Sequence, residues 1–306
     1  MKKYLTSALA FSVLALAGCN DSLGPGNASE EDREDIVASL AEAGFFADEF
    51  GDDGVVQHVA NYFDAAAAAA EPPRAWGRRH RVAVDREIRI EVDREAGLAT
   101  VYRTIVFEGT FMYRNDLEEI VEKPMHHTLM QSAVFRYLED ARVNDHGRST
   151  HWELIEVSPH DVVMTDPAER SVAIQSVSIE VNDVVVAEIV DAAERLSLAE
   201  ELPMLNLGDA ITVYATVANE TNGLESETYV FLHLFHARTD RDGWRRLPME
   251  YDPALDRWVG YWVVQQGGRE RIVVDALDGG SWSPDGAYRA HVWGIPYHIE
   301  EVSDGV

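Results

Sequence analysis

The stretch RVAVDREIRIEVDREAGLATVYRTIVFEGTFMY, residues 81–113, decides the fold class of this chain. Val82, Val84, Ile88, Ile90 and Val92 alternate with Asp85, Glu87, Arg89, Glu91 and Asp93, and only Arg86 interrupts the apolar positions. Successive side chains of a strand point to opposite faces. A period of two therefore predicts an antiparallel strand with one face in a core and the other in water. Glu95-Ala96-Gly97 turns the chain into a second strand over about 98–113. Further strands are expected at 125–138 and 150–157, with a fifth at 161–165.

Two helices are expected ahead of this meander. Ser29 and Asp32 have the spacing of a capping box, and Glu30, Glu31 and Asp32 crowd the first turn, where the helix dipole favours acids. Ile36, Val37, Leu40 and Ala41 form one apolar stripe. A second helix is expected from about Asp53, with Val55, Val56, Val59, Ala60 and Phe63 on one face. It runs through the alanine tract 65–70 and stops at Pro72-Pro73. Two helices and a meander make an α+β domain over 29–166. The NTF2-like curved sheet is one fold of that description.

The second half, 170–300, reads as an all-β sandwich of short strands. One or two strands are expected in 171–190, a helical or looped insertion at 191–206, and strands at 210–218, 228–237, 257–264, 269–277 and 288–294. Asp242-Gly243 is expected to be a hairpin turn. GDAITVYATVAN (208–219), Trp244, Met249-Glu250-Tyr251-Asp252 and VVDALDGG (273–280) resemble the immunoglobulin- or fibronectin-III-like modules of bacterial surface proteins. The resemblance implies a sandwich with a spacer or interaction role and no chemistry.

The first 19 residues carry the most specific signal. Met1-Lys2-Lys3 is followed by the uncharged run 5–17 and then by Gly18-Cys19. This is the layout of a secretory signal, and the run is too short to span a bilayer, which takes roughly 20 apolar residues. Leu16-Ala17-Gly18-Cys19 resembles the lipobox of bacterial lipoproteins. That resemblance implies cleavage between Gly18 and Cys19, transfer of diacylglycerol to the Cys19 sulfur, and N-acylation, commonly with palmitate. It places the chain in the cell envelope, and Asn20 after the cysteine points to the outer membrane. Residues 19–28 then serve as a flexible tether.

Cys19 is the only cysteine, so the exported body has no disulfide. Lys2 and Lys3 leave with the signal. The processed chain then carries 24 basic residues against 54 acidic ones, a net charge of −30, and Lys123 is its one lysine. Such a surface disfavours nucleic acid as a partner. The expected partners are the bilayer, through acylated Cys19, and an envelope protein.

No motif with a known mechanism follows the signal, and no catalytic residues, metal or cofactor are expected. His126-His127 are adjacent on a strand, so they point to opposite faces and cannot share an ion. The one basic cluster, Arg74, Arg78, Arg79 and Arg81, could meet anionic headgroups; the alternative is pairing within the chain, to acids of the first helix or the neighbouring strand. Trp258, Trp262 and Trp282 could form an aromatic platform for sugar rings, or could sit in the sandwich core. The leading expectation is a non-catalytic envelope lipoprotein. A ligand- or carbohydrate-binding lipoprotein is the alternative, and a hydrolase built on paired carboxylates is the second.

Overall fold

A computed structural model describes residues 28–42, 76–115, 117–143, 149–221, 227–236, 243–264 and 268–299. The expected signal, Cys19, most of the expected tether and the second expected helix lie outside them. The described chain is mostly β, in antiparallel sheets, with a single short helix.

Helix α1 (Glu30–Glu42) starts as its sequence dictates. Ser29 Oγ donates to Asp32 Oδ2 at 2.6 Å, and the amides of Ser29 and Asp32 bond the opposite side chain, which is a reciprocal capping box. Asp32 also accepts from Trp152 Nε1 at 3.2 Å and from Arg94. Burial alone would raise its carboxyl pKa, but these hydrogen bonds outweigh burial and hold it below the usual range. Ile36 and Leu40 bury against Ile90, Val92, Val101, Phe135 and Trp152. Asp32→Ala removes the cap and strands the Trp152 N–H together. Urea unfolding should show a loss of about 1–2 kcal/mol, and an unchanged midpoint would mean that α1 adds nothing to the fold.

The meander follows as β1 (Trp76–Asp93), β2 (Leu98–Arg114), β3 (Ile120–Val143), β4 (Ser149–Val157) and β5 (His160–Met164). Gly97, at φ +65°, supplies the left-handed turn between β1 and β2. Strand β1 begins five residues before residue 81. Two bulges, between Arg79 and Val82 and between Ala83 and Asp85, break its alternation. Each bulge adds one residue and flips the side chains beyond it. Val82 and Val84 therefore lie exposed, Ala83 packs beside Phe107, and the expected face holds only from Ile88 to Val92. That corrects the reading of Val82 and Val84 as core residues.

The second half comprises β6 (Val172–Val181), β7 (Val184–Ile189), β8 (Leu196–Ser197), β9 (Met204–Leu205), β10 (Ala210–Asn219), β11 (Thr228–His236), β12 (Gly243–Pro248), β13 (Glu250–Asp252), β14 (Arg257–Val263), β15 (Gly268–Asp278) and β16 (Ala290–Ile299). The 191–206 insertion is looped, with two short strands. Asp242 lies outside the described residues, and Gly243 opens β12. Five strands form one sheet, in the order β13-β14-β10-β6-β7.

The other sheet runs β1-β2-β3-β5-β16-β15-β11-β12, and β5 pairs with β3 on one side and with β16 on the other. One sheet thus crosses the division expected at 166–170. It also curls on itself. Trp76, on the first strand of the path, packs 5.0 Å from Phe231 on β11, and its carbonyl accepts from Arg246 on β12 at 2.6 Å. The result is barrel-like, closed at one seam by side chains. The inner face carries Ile105, Phe107, Leu129, Val162, Val273 and Val292 in one layer, and Trp76, Phe111, Met125, Met164, Phe231 and Leu277 in the next. The outer faces of β11, β15 and β16 present Leu232, Ile272, Val274, Trp293 and Ile295 to Val177, Ile179, Ile211 and Val213 of the five-stranded sheet. One wall therefore serves two cores.

Candidate functional site

The densest chemistry among the described residues lies inside the barrel-like sheet. Register places Arg78 on β1 opposite Phe111, His127 on β3 opposite Phe107, Asp275 on β15 opposite Phe231, and His233 on β11 opposite Val273. Directly paired residues share a face, so all four side chains are directed inward. Arg78 donates from both terminal nitrogens to Asp275, at 2.6 and 2.8 Å, in a two-point guanidinium–carboxylate fit. Its Nε donates to Tyr288 Oη at 2.7 Å. Tyr288 Oη lies 3.2 Å from His127 Nε2, within hydrogen-bond reach. His233 Nε2 sits 3.1 Å from Asp275 Oδ2, near enough for an ion pair but poorly aligned for a hydrogen bond.

Arg78 is 4 % exposed and Asp275 is 0 % exposed. Burial would raise the Asp275 carboxyl pKa, but the Arg78 charge and its hydrogen bonds hold it well below the carboxylate range. Burial likewise opposes the Arg78 charge, and Asp275 restores it. Arg246 stacks 3.9 Å over the Trp76 ring, and burial pushes its pKa down to about 10. Lys123, the one lysine beyond Lys2 and Lys3 in the sequence, is buried too. It donates to the carbonyls of Gly280 and Ser283 at 3.0 and 2.6 Å.

A second polar layer lies toward α1. Arg103 and Arg271 are both buried there, and Arg271 Nη1 is 2.9 Å from His160 Nδ1. Burial and the like charge of Arg271 push the Arg103 pKa down to about 10.

The structure separates the residues that the sequence grouped. Arg78 turns inward to Asp275, a partner from the far half of the chain. This corrects both the headgroup reading for that residue and the expectation of a partner on the first helix or a neighbouring strand. Arg79 is half-buried, Arg81 lies on β1, and Arg74 is outside the described residues. Trp258 and Trp262 share the inner face of β14 and pack on the sandwich core, whereas Trp282 joins Trp76, Phe111 and Tyr113 in the barrel. The three tryptophans do not line one surface. His126 is exposed beside Glu108 and His127 is buried, on opposite faces as their adjacency requires.

Family models, curated proteins and solved structures were each compared with the chain, and none matches. The site must therefore be read from its own geometry. Among the described residues, Asp275 and Asp278 are fully buried, but they are three apart on β15 and so on opposite faces. Asp275 is engaged by Arg78. Asp278 accepts from Gly280 N at 2.6 Å, from Ser171 Oγ at 3.1 Å and from Thr221 Oγ1. Neither faces the other across a cleft in the manner of a glycosidase pair. What the Arg78–Asp275–Tyr288–His127 chain does is fasten β1, β3 and β15 across the barrel interior.

Sequence reasoning missed Asp275, Tyr288 and His233 as a unit. The available signal was IVVDAL (272–277), where one acid stands among apolar residues. An acid in such a run needs a buried cation, and Arg78 was already in view.

Proposed function

We propose that this chain is an envelope lipoprotein, anchored through acylated Cys19, whose non-catalytic body binds another envelope protein.

 The observation that carries this reading is the tetrapeptide Leu16-Ala17-Gly18-Cys19 behind a charged start and a short apolar run. One acyl chain binds a bilayer only marginally, whereas the two or three of a lipoprotein hold it firmly. The state of the buried charges supports a non-catalytic body, because Asp275, Asp278 and Arg78 are each committed to partners within the fold. We read the first part as NTF2-like, on the support of a long β1–β3 meander with α1 against its inner face. The second part reads as an immunoglobulin-like sandwich, in which β6, β10 and β14 face β11, β15 and β16.

The test is Cys19→Ser in the native host. The unaltered protein is expected in the outer-membrane fraction, with a mass that shows the loss of residues 1–18 and the gain of acyl chains. Cys19→Ser should leave the membrane fraction almost entirely. Retention of Met1, or a free thiol at residue 19, would sink the reading.

A further inference from the structure

Edge strands expose backbone donors and acceptors, and proteins usually blunt them with charge, bulges or a covering element. Most edges described here are blunted in these ways. Strand β13 is three residues long and carries Glu250 and Asp252. Strand β1 has two bulges and charged residues at Asp85, Arg86, Glu87, Arg89, Glu91 and Asp93, and its first residues close on Arg246. Strand β4 meets α1, whose Asp35 accepts from the His151 amide at 3.0 Å and whose Ser39 donates to the Trp152 carbonyl at 3.3 Å.

Strand β7 differs. It ends the five-stranded sheet, among the described residues it pairs only with β6, and its sequence is VVVAEI. Val184, Val185 and Val186 are 63 %, 54 % and 37 % exposed. Its one irregularity is a bulge that leaves Val186 without a partner on β6. The sequence around β7 is acidic: between Arg170 and Arg195 the chain carries Glu180, Asp183, Glu188, Asp191 and Glu194 and no lysine or arginine. A second copy would set these acids against themselves, and an anionic membrane surface would also be repelled.

We infer that β7 is a docking edge for an extended segment of another protein, rich in β-branched residues and flanked by lysine or arginine, which adds to the sheet as a further strand. Backbone pairing supplies the binding, the exposed valines supply apolar contact, and the acids select a basic partner. The inference deepens the protein-binding reading above and rests on it.

The test uses the full, acylated protein in detergent and a fluorescent peptide, KVTVKVTVK, followed by anisotropy. EVTVEVTVE and the proline-broken KVTPKVTPK are the controls. The basic peptide should bind at least about tenfold more tightly than either control and should weaken as salt is raised, because screening removes the acidic attraction. Val185→Lys with Val186→Lys should abolish binding. Glu180→Gln with Glu188→Gln, which leaves the valines in place, should weaken it severalfold and flatten the salt dependence. Equal binding of the basic and acidic peptides, or binding indifferent to both variant pairs, would overturn the inference. So would a dimer in sedimentation that the lysine pair converts to monomer, since the occupant would then be a second copy. Photo-crosslinking in the intact envelope separates this inference from its premise. A partner trapped elsewhere on the body but not at Val186 sinks β7 alone, and no partner at any position sinks the protein-binding reading as well.

Discussion

Asp275→Ala should lower the unfolding free energy at pH 7 by about 3–5 kcal/mol, because it leaves the Arg78 guanidinium buried without its carboxylate. The cost falls on the abandoned cation more than on the lost pair. Removing both charges should therefore hurt less than removing one, and Arg78→Met combined with Asp275→Leu should recover much of the loss. Urea unfolding of the two single variants and the double variant measures this as a cycle. A double variant as unstable as the sum of its parts would show that the two groups act independently. Acid dependence gives a second readout. The folded Asp275 pKa lies below its unfolded value, so the unfolded state takes up the proton more readily. The contribution is whole above about pH 4, near the unfolded carboxyl value, and fades as pH falls toward the folded pKa. Asp275→Asn should lack that acid limb, so its stability and that of the unaltered protein should converge on acidification.

How much of this was legible beforehand depended on the range of the interaction. Local signals read well. The Ser29–Asp32 cap formed as its spacing required, Gly97 turned the chain where Glu95-Ala96-Gly97 suggested, and most strands fall where alternation or β-branched runs placed them. Alternation failed at Val82 and Val84, because a bulge costs the sequence one residue and leaves no mark in composition. Long-range pairing was legible only as a need: Asp275 in its apolar run calls for a cation without saying which. Nothing in residues 160–164 announces that β5 joins the two halves into one sheet, and nothing near Arg78 names Asp275, 197 positions away. The cluster of arginines looked like a surface feature because charge is usually solvated. Here closure of the sheet puts Arg78 inside and supplies its anion from another strand.

That closure makes Trp76 the other residue with a large expected effect. It is fully buried at the seam between the first and last strands of the path, with Phe111, Phe231 and Trp282 around its ring and Arg246 stacked on it. Trp76→Ala should cost about 3–5 kcal/mol, the range for deleting a large aromatic from a packed core. It should also act locally. The β11–β12 ladder is the only backbone pairing that holds β12 among the described residues, so amides of 243–248 should exchange faster than those of β2 and β3, which keep partners on both sides. Trp76→Phe keeps an aromatic face under Arg246 and should restore part of the stability and most of the β12 protection. A loss under about 1 kcal/mol for the alanine variant, or uniform acceleration of exchange across the sheet, would mean that the seam is not what closes the barrel. In that case the buried Arg78–Asp275 pair would have to fasten β1 to the far wall without it.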